Sequence, residues 1–223
     1  MSKLINIYKK IPKKFLDKKV VNINYKLHKI NLPCFILIAG KTGTGKTNAL
    51  MNLLILMGKQ FDGIILVVKN KDEPIYRYLI DQGNGLVDVF EQKEGPKFPD
   101  INDYNNGKQY FLIMDDLLNE KALLPQIRDV TIRCRKVGIS YAFLSQDYFR
   151  TDLTLRKNIN RLFLFNLNNK TEKLNILRNY PFMDNYQHLF DEINKKKDDE
   201  ELEEPNSFIN ININNSTARL NFD

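Results

Sequence analysis

Residues 40–47 read G-K-T-G-T-G-K-T and satisfy the phosphate-binding pattern G-x-x-x-x-G-K-[ST]. The glycines allow successive backbone N–H groups to surround a polyphosphate, and the helix expected to follow points its N-terminus at the same anion. We expect Lys46 to neutralise the β- and γ-phosphates of a nucleotide and Thr47 to hold Mg²⁺ through its hydroxyl. The predicted nucleotide-binding residues are Gly40, Lys41, Thr42, Gly43, Thr44, Gly45, Lys46 and Thr47.

Two adjacent carboxylates, Asp115 and Asp116, follow the apolar run 110–114. An apolar strand that ends in acidic residues, downstream of a phosphate-binding loop, is typical of a Walker B motif. We expect Asp115 to bind Mg²⁺ through water beside Thr47. Asp116 is the expected catalytic residue that orients and deprotonates the attacking water.

A further apolar run, 139–144, ends in the polar pair Ser145-Gln146. Some NTPases insert a strand between the strand of the phosphate-binding loop and the Walker B strand, and the next strand then ends in a residue that senses the γ-phosphate. Gln146 occupies that place in the order of motifs, so the sequence predicts a catalytic sensor there.

The elements that position these motifs alternate between strands and helices. Period and composition predict strands at about 20–26, 34–39, 64–68, 86–90, 110–114, 139–144 and 161–165. Helices are predicted at 46–58, 74–82, 120–137, 152–159, 170–179 and 183–196. The alternating segments 208–213 and 218–222 predict an antiparallel hairpin. This order indicates an α/β fold with a mostly parallel central sheet covered by helices on both faces, plus a C-terminal β-hairpin.

The length of 223 residues suits one domain with additions rather than two domains. We predict a single domain over 1–223, with the motifs in a core at about 30–170, a basic N-terminal extension at 1–30, and C-terminal helices and the hairpin at 170–223. No apolar run approaches the roughly 18 residues of a membrane span, so no membrane-spanning helix is expected. The N-terminus lacks the features of a signal peptide, so secretion is not expected.

The net charge is +7 at pH 7, and the basic residues are unevenly distributed. Such a distribution is compatible with a polyanionic partner, although a merely solvated basic surface explains it equally well. A mobile acidic connector is predicted at 198–204. The N-terminal lysines are Lys9, Lys10, Lys13, Lys14, Lys18 and Lys19.

Three segments, 134–140, 143–149 and 155–165, resemble the FtsK–HerA superfamily of DNA-translocating ATPases. Within that superfamily, the Asp-Asp pair, the Ser-Gln pair with an aromatic residue behind it, and the Arg-Lys-Asn-Ile run from Arg156 are most similar to the poxvirus-type genome-packaging ATPases of large DNA viruses and virophages. The resemblance covers about 30–170. Cellular translocases of the superfamily usually carry Glu at the position of Asp116, whereas Asp fits the viral branch.

The resemblance implies a P-loop NTPase with a RecA/ASCE-like sheet, using ATP and Mg²⁺ to drive double-stranded DNA into a preformed capsid. It also implies a homo-oligomeric ring of five or six subunits, capsid or vertex proteins as partners, and a location in the virion or at the viral assembly site in the host cytoplasm. Rings of this superfamily complete each site with an arginine from the neighbouring subunit. Arg135 and Arg156 are the favoured catalytic candidates because both lie in the resembling segments, ahead of Arg133 and Arg161.

Two other functions fit the phosphate-binding loop. A P-loop nucleoside or nucleotide kinase shares the loop and the size, but it has no use for a Ser-Gln strand end. An ATP-gated assembly module without significant turnover would use nucleotide only to hold subunits together, and the intact pair Asp115-Asp116 argues against it.

Overall fold

The computed structural model describes residues 6–12, 20–93, 95–117, 120–166, 170–194 and 207–222. The predicted acidic connector at 198–204 and the lysines Lys13, Lys14, Lys18 and Lys19 lie outside these residues. The strands are β1 (Phe35–Ala39), β2 (Gly63–Val68), β3 (Val87–Glu91), β4 (Tyr110–Asp115), β5 (Ser140–Ser145), β6 (Arg161–Leu164), β7 (Ile209–Asn212) and β8 (Thr217–Leu220). The α-helices are α1 (Tyr25–His28), α2 (Lys46–Met57), α3 (Pro74–Gly83), α4 (Leu124–Val137), α5 (Leu153–Asn158), α6 (Lys170–Asn179) and α7 (Gln187–Asn194). Short 3₁₀ helices span Ile7–Lys10, Ile101–Tyr104, Lys121–Leu123 and Pro181–Tyr186.

The strands within the described ranges form one eight-stranded sheet in the order β3-β2-β4-β5-β1-β6-β7-β8. Pairing is parallel from β3 through β6, and it is antiparallel between β6 and β7 and between β7 and β8. The predicted mostly parallel sheet with a C-terminal hairpin is therefore confirmed. Strand β5 lies between β1 and β4, so one strand separates the strand of the phosphate-binding loop from the strand of the paired carboxylates.

Both faces of the sheet are covered, and β1 shows why its sequence is apolar throughout. Its alternate residues enter two different clusters of buried side chains: Phe35 and Leu37 contribute to one, and Ile36 and Ile38 to the other. Helices α2 and α3 pack in the second cluster, while α4, α5, α6 and α7 pack in the first. A strand buried on both faces reads as a continuous apolar run, as parallel strands of α/β proteins do. No helix in the described part of the chain is both long and apolar enough to cross a membrane.

The predicted helix boundaries differ from the structure mainly at N-termini. The predicted helix at 120–137 begins as 3₁₀ turns, and α4 starts at Leu124 with a proline in its first turn. Proline lacks the backbone N–H that a helix interior requires, so it favours the first turn and fixes the start there. Gly138 ends α4 in a left-handed conformation, with φ of 76°, as its position predicted.

The predicted strand at 20–26 is wrong. Its alternation of apolar and polar residues is present, but the polar side chains face the protein: the Asn22 amide donates to the Ile30 carbonyl at 2.9 Å and the Asn24 amide to the Met57 carbonyl at 3.0 Å. Val21 and Ile23 are 58% and 65% exposed. The asparagines satisfy carbonyls of neighbouring segments, including one at the end of α2, so this segment binds the domain through its polar face instead of joining the sheet.

His28, at the end of α1, has no exposed surface, and its Nδ1 accepts a hydrogen bond from the Ile30 N–H at 3.0 Å. Burial lowers its pKa to about 4, and the nearby charges of Arg161 and Arg219 act in the same direction. A neutral imidazole is therefore part of the folded structure.

We expect the free energy of unfolding to fall as pH falls from 6.5 towards 4. The unfolded chain protonates His28 near its ordinary pKa of 6.5, whereas the folded chain resists protonation down to about 4. The His28 contribution is fully present above pH 6.5, and on the order of 3 kcal/mol is lost across that window. Denaturant unfolding at several pH values measures this slope.

The matched variants for this test are His28→Asn and His188→Asn. An asparagine at position 28 retains an acceptor for the N–H two residues on and removes the titrating group, so it should flatten the slope. His188 is exposed on α7, and its replacement should leave the slope unchanged. Equal slopes for the wild type and His28→Asn would contradict the assignment.

Candidate nucleotide-binding site

The carboxyl ends of β1, β5 and β4 meet at one edge of the sheet and enclose a cleft of about 420 Å³. Parallel α/β sheets bind ligands at this edge, outside the carboxyl ends of their strands. The cleft contains the main part of all three predicted motifs. Its lining residues are Thr42, Gly43, Gly45, Lys46, Thr47, Asn48, Glu73, Asp115, Asp116, Leu144, Ser145 and Gln146.

The phosphate-binding loop connects β1 to α2, as its sequence predicted. Gly45 has φ of 86°, a left-handed conformation that strongly favours glycine. Gly40 lies so close to the strand beside it that an added Cβ would be 2.6 Å from the Cβ of Phe165, which excludes any side chain at this point. Its N–H donates to the Ser145 carbonyl at 3.1 Å and thereby joins the loop to the end of β5.

Lys46 is the first residue of α2, and its Nζ donates to the Lys41 carbonyl at 2.8 Å, across the loop. Burial lowers the pKa of this amine, and the charges of Asp115 and Asp116 oppose that effect. The ammonium group is therefore held in a partly desolvated position at the start of a helix, where it adds to the positive end of the helix dipole. This arrangement favours a multiply charged anion.

Asp115 ends β4, and the Tyr76 hydroxyl donates a hydrogen bond to its Oδ2. Burial raises the pKa of Asp115, while the Tyr76 hydrogen bond and the charge of Lys46 lower it. Thr47, the second residue of α2, lines the same cleft as Asp115. The structure thus brings together the two residues that the sequence assigned to Mg²⁺.

The donor set at this point fits Mg²⁺. The Thr47 hydroxyl and the Asp115 carboxylate are hard oxygen ligands, and both residues line the cleft. Among the residues that the structure describes, no group of three or more His, Cys, Asp or Glu side chains forms a protein cage for a metal. Mg²⁺ is typically bound by one or two protein oxygens together with substrate phosphates and water, so an all-protein cage is not required.

Asp116 immediately follows β4 in a left-handed backbone conformation, with φ of 54°. Lys69 forms a salt bridge with its Oδ2 at 3.2 Å, and the Gln146 amide donates to its Oδ1 at 3.3 Å. Glu120 lies 3.9 Å from the same lysine amine. Asp116 and Gln146, predicted from separate motifs, are therefore in direct contact.

The turn that carries Gln146 is fixed by hydrogen bonds among its neighbours. The Ser145 hydroxyl donates to the Asp147 carbonyl at 2.7 Å, and the Thr151 hydroxyl donates to the Ser145 Oγ at 2.8 Å. The Asp147 carboxylate accepts from the Phe149 N–H at 2.7 Å. These bonds turn the chain sharply at the end of β5 and hold Gln146 beside the cleft.

The structure does not bring the favoured arginines into this cleft. Arg135 is exposed near the end of α4, in a separate depression with Lys108 and Gly138, and these two residues precede β4 and β5 at the opposite edge of the sheet. The Arg156 guanidinium lies 5.3 Å from the Tyr148 ring centroid and 5.9 Å from that of Phe149. Neither arginine thus lines the cleft.

The other two arginines have partners within the chain. Arg133 forms a salt bridge with Asp129 at 3.0 Å. Arg161 is only 5% exposed, and its guanidinium donates to the Lys29 carbonyl at 2.7 Å and to Asn210 at 3.3 Å. Arg161 therefore has a structural role at the start of β6.

Two residues of the site, Tyr76 and Lys69, were missed from the sequence. Lys69 directly follows β2, and β2 pairs with β4, so its place at the same edge of the sheet was a usable signal. Tyr76 lies in the first turn of α3 and belongs to no sequence motif. Its contact with Asp115 depends on how α3 packs, which spacing along the chain does not specify.

Comparison with known proteins supports the same fold. A family model described as the Poxvirus A32 protein matches residues 22–204. The chain is similar in structure to the genome packaging NTPase B204 from Sulfolobus turreted icosahedral virus 2 in complex with ATP-gammaS (11% identity, TM-score 0.57, 86% of this chain and 98% of that chain). Similar values relate it to B204, the DNA-packaging ATPase from Sulfolobus Turreted Icosahedral Virus (14% identity, TM-score 0.57, 86% and 98%).

A cellular protein also matches. EssC (ATPases 2 and 3) from Geobacillus thermodenitrificans is 13% identical, with a TM-score of 0.56 over 86% of this chain and 39% of that chain. No curated protein matches the sequence significantly.

Proposed function

The chain belongs to the Poxvirus A32 protein family, and from this membership and the geometry of the cleft we propose that it is an ATPase that packages a viral genome by translocating double-stranded DNA into a preformed capsid. The observation that carries the proposal is the convergence of Lys46, Asp116 and Gln146 on one cleft. The structurally similar B204 is itself described as a DNA-packaging ATPase.

The residues of the cleft have different roles in ATP hydrolysis. The N–H groups of the loop and the Lys46 amine bind the triphosphate and neutralise charge that develops on the γ-phosphate. Asp116 accepts the proton of the attacking water, and Gln146, within hydrogen-bonding distance of Asp116, reports the presence of the γ-phosphate. Mg²⁺, held by Thr47 and Asp115, would supply further charge neutralisation at the β- and γ-phosphates.

The same site weighs against the two alternatives. A nucleoside or nucleotide kinase does not require Gln146 beside the general base Asp116. A hydrolase, by contrast, requires both side chains near the attacking water. An ATP-gated assembly module has no need of Asp116 in reach of the cleft. Both alternatives nevertheless make distinct predictions and are included in the test.

In the proposed ring of five or six subunits, each nucleotide site is completed by an arginine from the neighbouring subunit. Arg156 lies on the segment that follows β5 and is held by the Tyr148 and Phe149 rings and by the Thr151 carbonyl at 3.1 Å. We retain Arg156 and Arg135 as candidates that act on a neighbouring subunit. The capsid or vertex partner and the location in the virion or at the host assembly site are part of the same proposal.

DNA-stimulated hydrolysis tests the function. ATP turnover should rise severalfold with long double-stranded DNA and little with short single-stranded oligonucleotides, and mass measurement in the same buffer should detect ring-sized particles. Unchanged turnover in the presence of such particles would contradict translocation. Transfer of the γ-phosphate to a nucleoside or nucleotide would indicate the kinase, and ATP-dependent oligomers with negligible turnover would indicate the assembly module.

A further inference from the structure

Tyr76 is a buried tyrosine in contact with Asp115, one of the residues that line the cleft. It lies in the first turn of α3, only 1% of its surface is exposed, and its ring packs in the cluster that contains α2. Its hydroxyl donates a hydrogen bond to the Asp115 carboxylate.

Packing explains why an aromatic ring is buried at position 76, but it does not explain why that ring carries a hydroxyl. A phenylalanine would fill the same volume among apolar neighbours, and a buried hydroxyl is stabilised only where it finds partners. Here the partner is the Asp115 carboxylate, one of the two side chains that fit Mg²⁺.

We propose that Tyr76 is a positioning residue for Mg²⁺, which fixes the Asp115 carboxylate in the orientation that the hydrated ion requires. One hydroxyl proton engages one carboxylate oxygen and leaves the second oxygen to the hydration shell of the ion. Groups that orient metal ligands in this way typically contribute a factor of about 10–100 to metal affinity. The inference rests on the proposed function only in that Mg²⁺ and nucleotide occupy this cleft, and it does not require DNA translocation.

The test compares Tyr76→Phe with Tyr104→Phe. Tyr104 is also buried and donates its hydroxyl to an aspartate, Asp88, at 3.0 Å, but it lies outside the cleft. Binding of a fluorescent ATP analogue is measured while Mg²⁺ is titrated, so no hydrolysis or DNA is involved. Tyr76→Phe should raise the Mg²⁺ concentration at half-saturation by about 10–100-fold. Metal-free analogue binding and the Mg²⁺ response of Tyr104→Phe should match the wild type.

Two outcomes of this titration would overturn the proposal. One is an unchanged Mg²⁺ requirement in a folded Tyr76→Phe variant, with folding checked by thermal unfolding. The other is an equal loss of analogue binding with and without Mg²⁺, which would indicate a general defect of the nucleotide pocket. If DNA failed to stimulate ATP hydrolysis by the wild type, the Mg²⁺ titration would still test the role of Tyr76. The proposed function and the role of Tyr76 are therefore tested independently.

Two further variants separate positioning from packing. In an Asp115→Asn background, adding Tyr76→Phe should weaken the Mg²⁺ response little further, because the tyrosine acts through Asp115; additive losses would contradict this. Incorporation of 4-aminophenylalanine at position 76 retains a donor on the ring and should restore most of the Mg²⁺ affinity. Absence of restoration in this folded protein would also overturn the proposal, and this variant applies even where Tyr76→Phe does not fold.

Discussion

Replacing Lys46 by alanine is expected to lower kcat/KM for ATP hydrolysis by on the order of 10²–10³-fold, the usual loss when one preorganised charge-stabilising group is removed. Lys46 begins α2, and its amine lies over the loop, 2.8 Å from the Lys41 carbonyl. Burial lowers the pKa of this amine, the charges of Asp115 and Asp116 oppose that effect, and a bound triphosphate would act in the same direction as the carboxylates. Steady-state hydrolysis measures the loss in catalysis, and equilibrium binding of ATP measures the loss in affinity.

The control for this prediction is Lys59→Ala, which removes the same charge from an exposed position beyond the end of α2. Hydrolysis within a factor of about three of the wild type in Lys46→Ala would contradict the assignment, since it lies far below the expected loss. The inactive subunits also test the shared site. Mixing Lys46→Ala subunits with Arg156→Ala or Arg135→Ala subunits should restore partial turnover where the arginine acts across the interface, and no restoration with either would remove both candidates.

Asp116→Asn is expected to lower kcat by about 10²–10⁴-fold while ATP binding stays near the wild-type value, because a general base acts on the chemical step. Asparagine is the informative replacement at this position. The backbone at Asp116 has φ of 54°, a region in which asparagine and aspartate are enriched, so the turn is preserved. The amide oxygen still accepts hydrogen bonds but takes up no proton from water.

A matched control is Asp81→Asn, an exposed aspartate on α3. Single-turnover hydrolysis separates the chemical step from nucleotide binding and product release. Equal losses of ATP affinity and of kcat/KM in Asp116→Asn, with kcat unchanged, would indicate a binding role for the carboxylate and remove it as the base.

The motifs of the site were predictable because each is a local pattern tied to a strand end. The phosphate-binding loop needs glycines at fixed spacing, and Asp116 and Gln146 each follow a continuous apolar run. Parallel strands place their carboxyl ends at one edge, so these local patterns were sufficient to predict a common cleft. The helix stop at Gly138 and the C-terminal hairpin were predictable for the same reason, since turn residues act locally.

Other features depend on contacts between segments distant in the chain. Tyr76 reaches Asp115 because α3 packs on the same face of the sheet as α2, and no spacing rule connects residues 39 positions apart. The segment at 20–26 alternates like a strand, yet Asn22 and Asn24 turn towards carbonyls of Ile30 and Met57. Alternation in a sequence shows that the two faces of a segment differ in polarity. It does not show which face packs against the protein when the polar side chains can hydrogen-bond to buried carbonyls.

The left-handed turn at Asp116 also limits which acidic side chain this position accommodates. The cellular superfamily that the sequence resembles usually has a glutamate at the corresponding position, and a change from Asp to Glu looks like the addition of one methylene. At φ of 54°, however, the shorter residue is accommodated by the backbone itself, and the longer one is uncommon in that region. A lineage that lengthened the acid would also have to reshape the turn after β4 and release the contacts with Lys69 and Gln146. Exchange of Asp116 for glutamate is therefore expected to change the backbone of this turn as well as the position of the carboxylate.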